Sequence, residues 1–204
     1  ASSALVSSLH TSLAGDRVVR VGDVLEFHED RVPIAAGDEY PQVGVKGFGG
    51  GLFARETLTA NQTTYKAFNR LHAGMLVLSQ VKGWEGAIAV CPGELAGRFA
   101  SPEYRTFRCK AGELDPDYLA MIVPTEWFWS RLATLTRGVG ARRERIRPEL
   151  FVEMTLPMPT LAHQRHAMKV CERLQATQPD KALILPELDA MLPAILDRAF
   201  RGEL

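Results

Sequence analysis

Short segments with strand-like composition, each four to eight residues long and separated by Gly and Pro, follow one another between residues 17 and 157. β-branched and aromatic residues favour strands, whereas Gly and Pro end them. The predicted strands cover residues 18–21, 43–46, 74–81, 87–90 and 104–109. This pattern predicts a strand-rich domain that spans residues 17–157.

Two helical segments late in this region make the predicted fold class α+β. Asp115 is suited to cap the first helix, because Pro116 follows at the first helical position and the helix can run towards Pro124. The second segment, residues 125–135, spaces its apolar side chains helically after Thr125. We therefore expect two consecutive helices after the last of the predicted strands.

The N-terminal residues 1–16 have two open interpretations. Leu5, Leu9 and Leu13 are spaced four apart before Gly15, which predicts a short helix with these leucines on its apolar face. The serine content of the segment is equally typical of a linker.

Residues 158–204 are predicted to form a helical, coiled-coil-like hairpin after the rigid connector Leu156-Pro-Met-Pro. Thr160 can cap a helix to about residue 175, and a second helix would cover residues 186–201. An apolar seam with alternating steps of three and four marks the second helix: Leu185, Leu188, Leu192, Ile195 and Ala199. This seam predicts either a two-fold dimer or an intramolecular hairpin packed on residues 160–175.

Composition excludes several classes of protein. Hydrophobic residues make up 46% and charged residues 24% of the chain, which argues against global disorder. No apolar run approaches the ~18 residues of a membrane span, and no secretory signal is present. Three cysteines without a CxxC pair indicate neither a disulfide framework nor a zinc ribbon, so we expect a cytoplasmic protein.

Positive charge is concentrated in one segment although the formal net charge is zero. Residues 131–147 hold six of the 24 basic residues and one acidic residue, Glu144. Arg137, Arg142 and Arg143 offer the forked donors that suit phosphates or guanine edges. A solvated charge run is the alternative interpretation of this segment.

Three polar segments add candidate DNA contacts. Polar loops of this kind read base edges while arginines hold the backbone. The segment 77–86 resembles a polar hairpin, and the glycine-rich segment 46–51 is predicted to be a flexible loop. Their candidate residues, with those of a third polar group, are Lys46, Thr63, Tyr65, Lys66, Ser79, Gln80, Lys82 and Trp84. Trp84 is equally suited to the core.

Catalytic and metal-binding motifs are mostly absent. The chain has no GxSxG, HExxH or GxxxxGK[ST] pattern. His163 and His166 are three apart on a predicted helix, but no third ligand accompanies them at a recognisable spacing, so a solvated helix face is favoured. We therefore expect no cofactor, no metal and no catalytic activity.

The order and spacing of several motifs resemble a type I restriction-modification specificity subunit, with one target recognition domain followed by one helical region. The motifs that carry the resemblance are Val21-Gly-Asp-Val-Leu, Leu71-His-Ala-Gly-Met-Leu-Val-Leu-Ser-Gln, Gly86-Ala-Ile-Ala-Val, Ser101-Pro-Glu-Tyr-Arg-Thr-Phe, Asp115-Pro-Asp-Tyr-Leu, Arg145-Ile-Arg-Pro, Leu156-Pro-Met-Pro-Thr-Leu-Ala-His-Gln and Ala199-Phe-Arg-Gly-Glu-Leu. Thr160 and His163 depart from the family pattern, which commonly has Pro and Glu there.

The resemblance implies a non-catalytic protein that binds double-stranded DNA and reads one half of a split target. It also implies that the helices, including Leu185, Leu188, Leu192 and Ile195, dock methyltransferase subunits or a second copy, and that a restriction subunit joins indirectly. A full specificity subunit has two such halves, so the chain is expected to be a half-subunit or an excised half. The alternatives are the detached recognition part of a single-chain DNA methyltransferase or restriction enzyme, and a module that binds only protein.

Overall fold

A computed structural model describes residues 2–136 and 145–177 of the chain. The predicted α+β class is confirmed. The helices are α1 (Ser3–Ala14), α2 (Val21–Val24), α3 (Pro116–Ile122), α4 (Glu126–Trp129), α5 (Pro148–Glu153) and α6 (Leu161–Thr177). The strands are β1 (Val18–Arg20), β2 (Leu25–Phe27), β3 (Asp30–Pro33), β4 (Glu39–Val45), β5 (Leu52–Thr59), β6 (Ala67–Arg70), β7 (Leu76–Ser79), β8 (Ile88–Val90), β9 (Phe99–Ala100), β10 (Tyr104–Cys109) and β11 (Thr155–Pro157).

The chain divides into two compact units. Residues 2–168 form the first unit, which contains all the strands named above, and residues 169–204 belong with Ala1 to the second. Among the described helices, none combines the length and hydropathy that a bilayer-crossing segment requires.

The strands form one small and two larger sheets. The four-stranded sheet has the order β2-β10-β7-β8, and the five-stranded sheet has the order β3-β6-β9-β4-β5. Neighbouring strands are antiparallel, except that β4 and β9 pair in parallel at Gln42 and Phe99. The third sheet is the antiparallel pair β1-β11, which joins residues 18–20 to residues 155–157.

Two clusters of buried side chains lie within the described core of the sheets. One cluster contains Val43, Leu71, Val77, Cys91 and Ala100, and the other contains Tyr40, Phe68 and Phe99. Burial of each large apolar side chain contributes roughly 1.5–3 kcal/mol. Because Tyr40 and Val43 both lie on β4, this strand is held in both clusters, and the turn at its end starts from a fixed position.

The predicted start of helix α3 is confirmed in detail. The Asp115 carboxylate accepts a hydrogen bond from the Asp117 N–H (3.0 Å), and Pro116 occupies the first helical position. Thr125 caps the next helix, since its hydroxyl oxygen accepts from the Phe128 N–H (3.3 Å). The predicted single helix over 125–135 is in fact two pieces, because α4 tightens into a 3₁₀ helix at Ser130–Leu135.

Helix α1 confirms the helical interpretation of the N-terminal residues, but its predicted apolar face is wrong. The buried side chains are Val6, His10 and Ala14, whereas Leu5 is 39% exposed. The buried stripe also repeats every four residues, one position later than the leucines. The reason is a polar anchor at His10, which forms hydrogen bonds with Tyr118 and Pro157.

Candidate nucleic-acid interface

The polar hairpin predicted around residues 77–86 is present. Strands β7 and β8 pair antiparallel, with Leu78 opposite Ile88. Between them the chain forms a turn that includes the 3₁₀ helix Gly83–Glu85. We call residues 80–86 the hairpin tip. The Ser79 hydroxyl accepts from the Lys82 N–H (3.1 Å) and Ser79 is only 6% exposed, so this predicted contact residue shapes the turn from inside.

The glycine-rich segment 46–51, which we call the glycine loop, is the turn between β4 and β5. Its backbone is held at several points, in contrast to the predicted flexible loop. The Phe48 N–H donates to the Glu85 carbonyl (2.6 Å), and the Gly49 N–H donates to the Gly86 carbonyl (3.1 Å). A Cβ on Gly49 would lie 2.3 Å from the Pro124 carbonyl oxygen, so only glycine fits there. The glycine loop and the hairpin tip therefore form one joined surface.

A groove of about 610 Å³ lies beside this joined surface. Its lining includes Phe53 and Arg55 of β5, the predicted Tyr65, and Glu103. The Nζ of Lys46 lies 5.7 Å from the centre of the Phe53 ring, and the Gln80 N–H donates to the Glu103 carbonyl (3.0 Å). Of the predicted contact residues, Tyr65 lines this groove, while Lys46 and the backbone of Gln80 each contact one residue of its lining.

The basic side chains of this unit fall into those with and those without a carboxylate partner. Lys46, Lys66 and Lys82 are exposed, and none forms an ion pair within residues 2–136 and 145–177. Arg108, by contrast, lies 2.7 Å from Glu26, and Arg145 lies 2.7 Å from Glu103. Exposed ion pairs contribute little stability, but they neutralise charge locally. Among the described residues, the glycine loop and the hairpin tip therefore carry exposed positive charge without ion-pair partners, as Arg55, Arg70 and Arg147 do elsewhere.

The arginine-rich segment is described only at its ends. Arg137, Arg142 and Arg143 lie outside the described residues. Thr136 and Arg145, which flank that gap, line one groove of about 530 Å³. The next residue, Ile146, is buried and donates its N–H to the Gln80 carbonyl (2.9 Å). The described end of the segment is thereby attached to the hairpin tip.

The other predicted contact residues are placed differently. Thr63 accepts the Tyr65 N–H (3.2 Å) in a local turn, and Lys66 lines a smaller groove together with Glu29. Trp84 is half-buried and donates from Nε1 to the Val81 carbonyl (3.1 Å). The predicted dimerisation residues Leu185, Leu188, Leu192 and Ile195 lie outside the described part of the chain.

Three residues at this surface, Phe48, Phe53 and Arg55, were not predicted from the sequence. Phe53 and Arg55 lie on β5, a strand that the sequence did not reveal because residues 53–57 are exposed on both faces and show no alternation. Phe48 had one visible signal, since it is a bulky residue within a run of glycines.

The described cysteines near the sheets are poor candidates for nucleophiles. Burial raises the pKa of Cys91 to about 11 and that of Cys109 to about 12, with nearby carboxylates adding to both shifts. Both side chains are therefore thiols at neutral pH, and the thiolate is the nucleophilic form. Within the described ranges, no three His, Cys, Asp or Glu side chains are grouped to hold a metal ion.

Comparison with known proteins gives matches among solved structures. No model of a protein family matches the chain, and no curated protein matches its sequence. The HsdS subunit from Thermoanaerobacter tengcongensis superimposes with a TM-score of 0.64 at 17% identity, over 88% of this chain and 46% of that one. The chain has the fold of type I S subunits. The resemblance drawn from the motifs is thus confirmed at the level of the fold.

Two further structures support this assignment of the fold. One, described as the structural basis of complex assembly and conformational transition of the type I R-M system, matches at a TM-score of 0.61 and 16% identity, over 91% of this chain and 47% of that one. The type I restriction-modification S subunit from M. genitalium matches with a TM-score of 0.51 at 12% identity, over 95% of this chain and 50% of that one. The chain therefore spans about half the length of the S subunits whose fold it shares.

Proposed function

We propose that this chain is a sequence-specific, non-catalytic DNA recognition subunit of a type I restriction-modification system. It reads one half of a bipartite target in double-stranded DNA. Methyltransferase subunits dock on it and supply the chemistry, and a restriction subunit joins through them.

The observation that carries the proposal is the joined surface of glycine loop and hairpin tip. Lys46 and Lys82 stand there without carboxylate partners within the described residues, beside a groove that Tyr65 and Arg55 line. Lysine ammonium groups neutralise phosphates, whereas polar and aromatic side chains contact bases. The attachment of Ile146 to Gln80 supports placing the arginine-rich segment at the same surface.

Assembly with a second recognition domain follows from the split target. The S subunits that share this fold are about twice as long as this chain. Two copies related by a two-fold axis would hold two recognition domains apart and read a palindromic split site. The seam Leu185, Leu188, Leu192 and Ile195 is the proposed contact between the copies, and docking to methyltransferase is its other use.

The salt dependence of DNA binding tests the phosphate contacts. Each neutralised phosphate contributes about 0.9 to the slope of log affinity against log salt. We expect Lys46→Gln with Lys82→Gln to lower the slope by about two for a mixed-sequence 40-base-pair duplex. Arg108→Gln is the matched control, because its charge is already paired with Glu26. A wild-type chain that binds no duplex even at low salt would favour the module that binds only protein.

Sequencing of methylated sites tests recognition itself. Cells that contain this chain and its methyltransferase partner are expected to carry methylation at a split motif. The motif should disappear when the gene for this chain is deleted, while the methyltransferase remains. Methylation that persists without the chain would contradict the proposed role.

A further inference from the structure

Phe48 occupies a position in the glycine loop that a glycine would fill with less strain. Among the described residues, Phe48 is the non-glycine residue that has a positive φ, and its value is 55°. Bulky side chains rarely adopt this conformation, because the Cβ crowds the backbone. The side chain also gains little from burial, since Phe48 is 70% exposed. Within the described residues, a contact with the Trp129 ring is the packing that the Phe48 ring gains in return for this strain.

The base of the Phe48 side chain is nevertheless held firmly. Its own N–H donates to the Glu85 carbonyl (2.6 Å), and the next N–H, of Gly49, donates to Gly86 (3.1 Å). The Phe48 ring meets the Trp129 ring edge-on, with centroids 5.6 Å apart. An exposed aromatic ring on a fixed backbone is suited to insertion, because little conformational freedom is lost when it binds.

The charges around Phe48 favour a polyanion over an apolar protein surface. Lys46 belongs to the same loop, and Lys82 belongs to the hairpin tip to which that loop is hydrogen-bonded. Both lysines are exposed and lack ion-pair partners in the described ranges, and Glu85 is the acidic side chain of the two turns. Apolar wedges flanked by basic residues unstack base steps in DNA-binding proteins, with the basic groups on adjacent phosphates.

We propose that Phe48 inserts at a base step of the DNA duplex, with Lys46 and Lys82 on the flanking phosphates. This inference rests on the proposed function and adds one contact to it. The ring distorts the base step or stacks on its bases. This contact adds affinity that does not depend on salt. It also favours target sequences whose base step unstacks easily.

The test uses the full chain and a duplex that the wild type selects from a pool of random 30-base-pair inserts. Phe48→Gly removes the ring and relaxes the backbone, and circular dichroism verifies that the variant is folded. Phe27→Ala is the matched control, because Phe27 is also exposed (52%) but lies on β2 in the four-stranded sheet. 2-Aminopurine placed at successive positions of the selected duplex reports local unstacking.

We expect Phe48→Gly to weaken binding roughly tenfold or more with an unchanged salt slope, and to abolish a fluorescence increase that the wild type produces at one base step. The control should bind like the wild type. Affinity within twofold of the wild type with an unchanged fluorescence signal would overturn the inference and leave the proposed function intact. Unchanged DNA binding with loss of the methyltransferase from the complex would overturn it in favour of a protein contact. Failure of the wild type to select any sequence would overturn both.

Discussion

The Nδ1 atom of His10 lies 2.6 Å from the hydroxyl oxygen of Tyr118, and this contact fastens helix α1 to helix α3. On the other side of the ring, Nε2 lies 3.0 Å from the carbonyl oxygen of Pro157. Because a carbonyl only accepts, Nε2 carries the proton and Nδ1 accepts from the Tyr118 hydroxyl. The fold therefore selects the neutral imidazole.

Stability should consequently fall in mild acid. The pKa of His10 is lowered to about 4, chiefly by burial; the hydrogen bond to Pro157 partly opposes this shift, and the charge of Arg131 adds to it. Between pH 6.5 and 4 the unfolded chain binds a proton at this residue that the folded chain does not. The free energy of unfolding should thus decrease as the pH falls through this window, by up to about 1.4 kcal/mol per pH unit from His10.

Urea unfolding of the wild type and of His10→Gln at several pH values measures this contribution. Glutamine can still donate to the Pro157 carbonyl but does not titrate. The variant should lose less stability than the wild type between pH 6.5 and 4, while the two behave in parallel above pH 7. Parallel curves over the whole range would refute the assignment to His10.

The three central arginines are predicted to contact phosphates or base edges. Replacement of Arg137, Arg142 and Arg143 by alanine should flatten the slope of log affinity against log salt by roughly two to three units. Fluorescence anisotropy with a labelled duplex measures the slope, and circular dichroism verifies the fold. An unchanged slope in the folded variant would mean that these residues are only a solvated charge run.

Gln80 is predicted to read a base. Its backbone is bonded on both sides, to Glu103 through its N–H and to Ile146 through its carbonyl, so a change of side chain leaves the turn in place. A glutamine amide can pair bidentately with adenine, and Gln80→Ala should relax the choice at one target position by about 1–3 kcal/mol. Sequencing of methylated sites reveals the change. Gln175→Ala, an exposed glutamine of α6, serves as the control.

The C-terminal seam is predicted to hold two copies together. Leu188→Asp combined with Leu192→Asp should halve the mass measured by light scattering, because buried carboxylates oppose the apolar contact. The fold of residues 17–157 should persist, as measured by circular dichroism. A wild type that is already monomeric at micromolar concentration would leave methyltransferase docking as the role of the seam.

Local chemistry explains which elements the sequence revealed. The predicted strand 104–109 coincides with β10, and the cap at Asp115 lies as expected, because turn residues and caps act within a few positions. The β7–β8 hairpin could also be anticipated from two apolar runs around a polar turn.

Long-range pairing explains what the sequence concealed. Strand β9 has two residues and is defined by partners on β4 and β6. Strand β5 is an edge strand that is exposed along residues 53–57, so periodicity gave no sign of it. The groove beside the glycine loop is lined by residues from several segments that only the fold brings together. Arg55 was not predicted for that reason. His10 shows the same effect, because a polar anchor carries no hydrophobic period.

Pairing of β1 with β11 places Val18 opposite Pro157, so the segment 18–157 begins and ends at neighbouring positions. The chain enters this segment from α1 and leaves it towards the first turn of α6 at the paired strands β1 and β11. Loops within residues 21–154 can lengthen, shorten or be exchanged for those of another chain without moving the β1–β11 pair. If the proposed function holds, replacing the whole segment between residues 18 and 157 is a route to new DNA specificities that leaves the helices outside it unchanged.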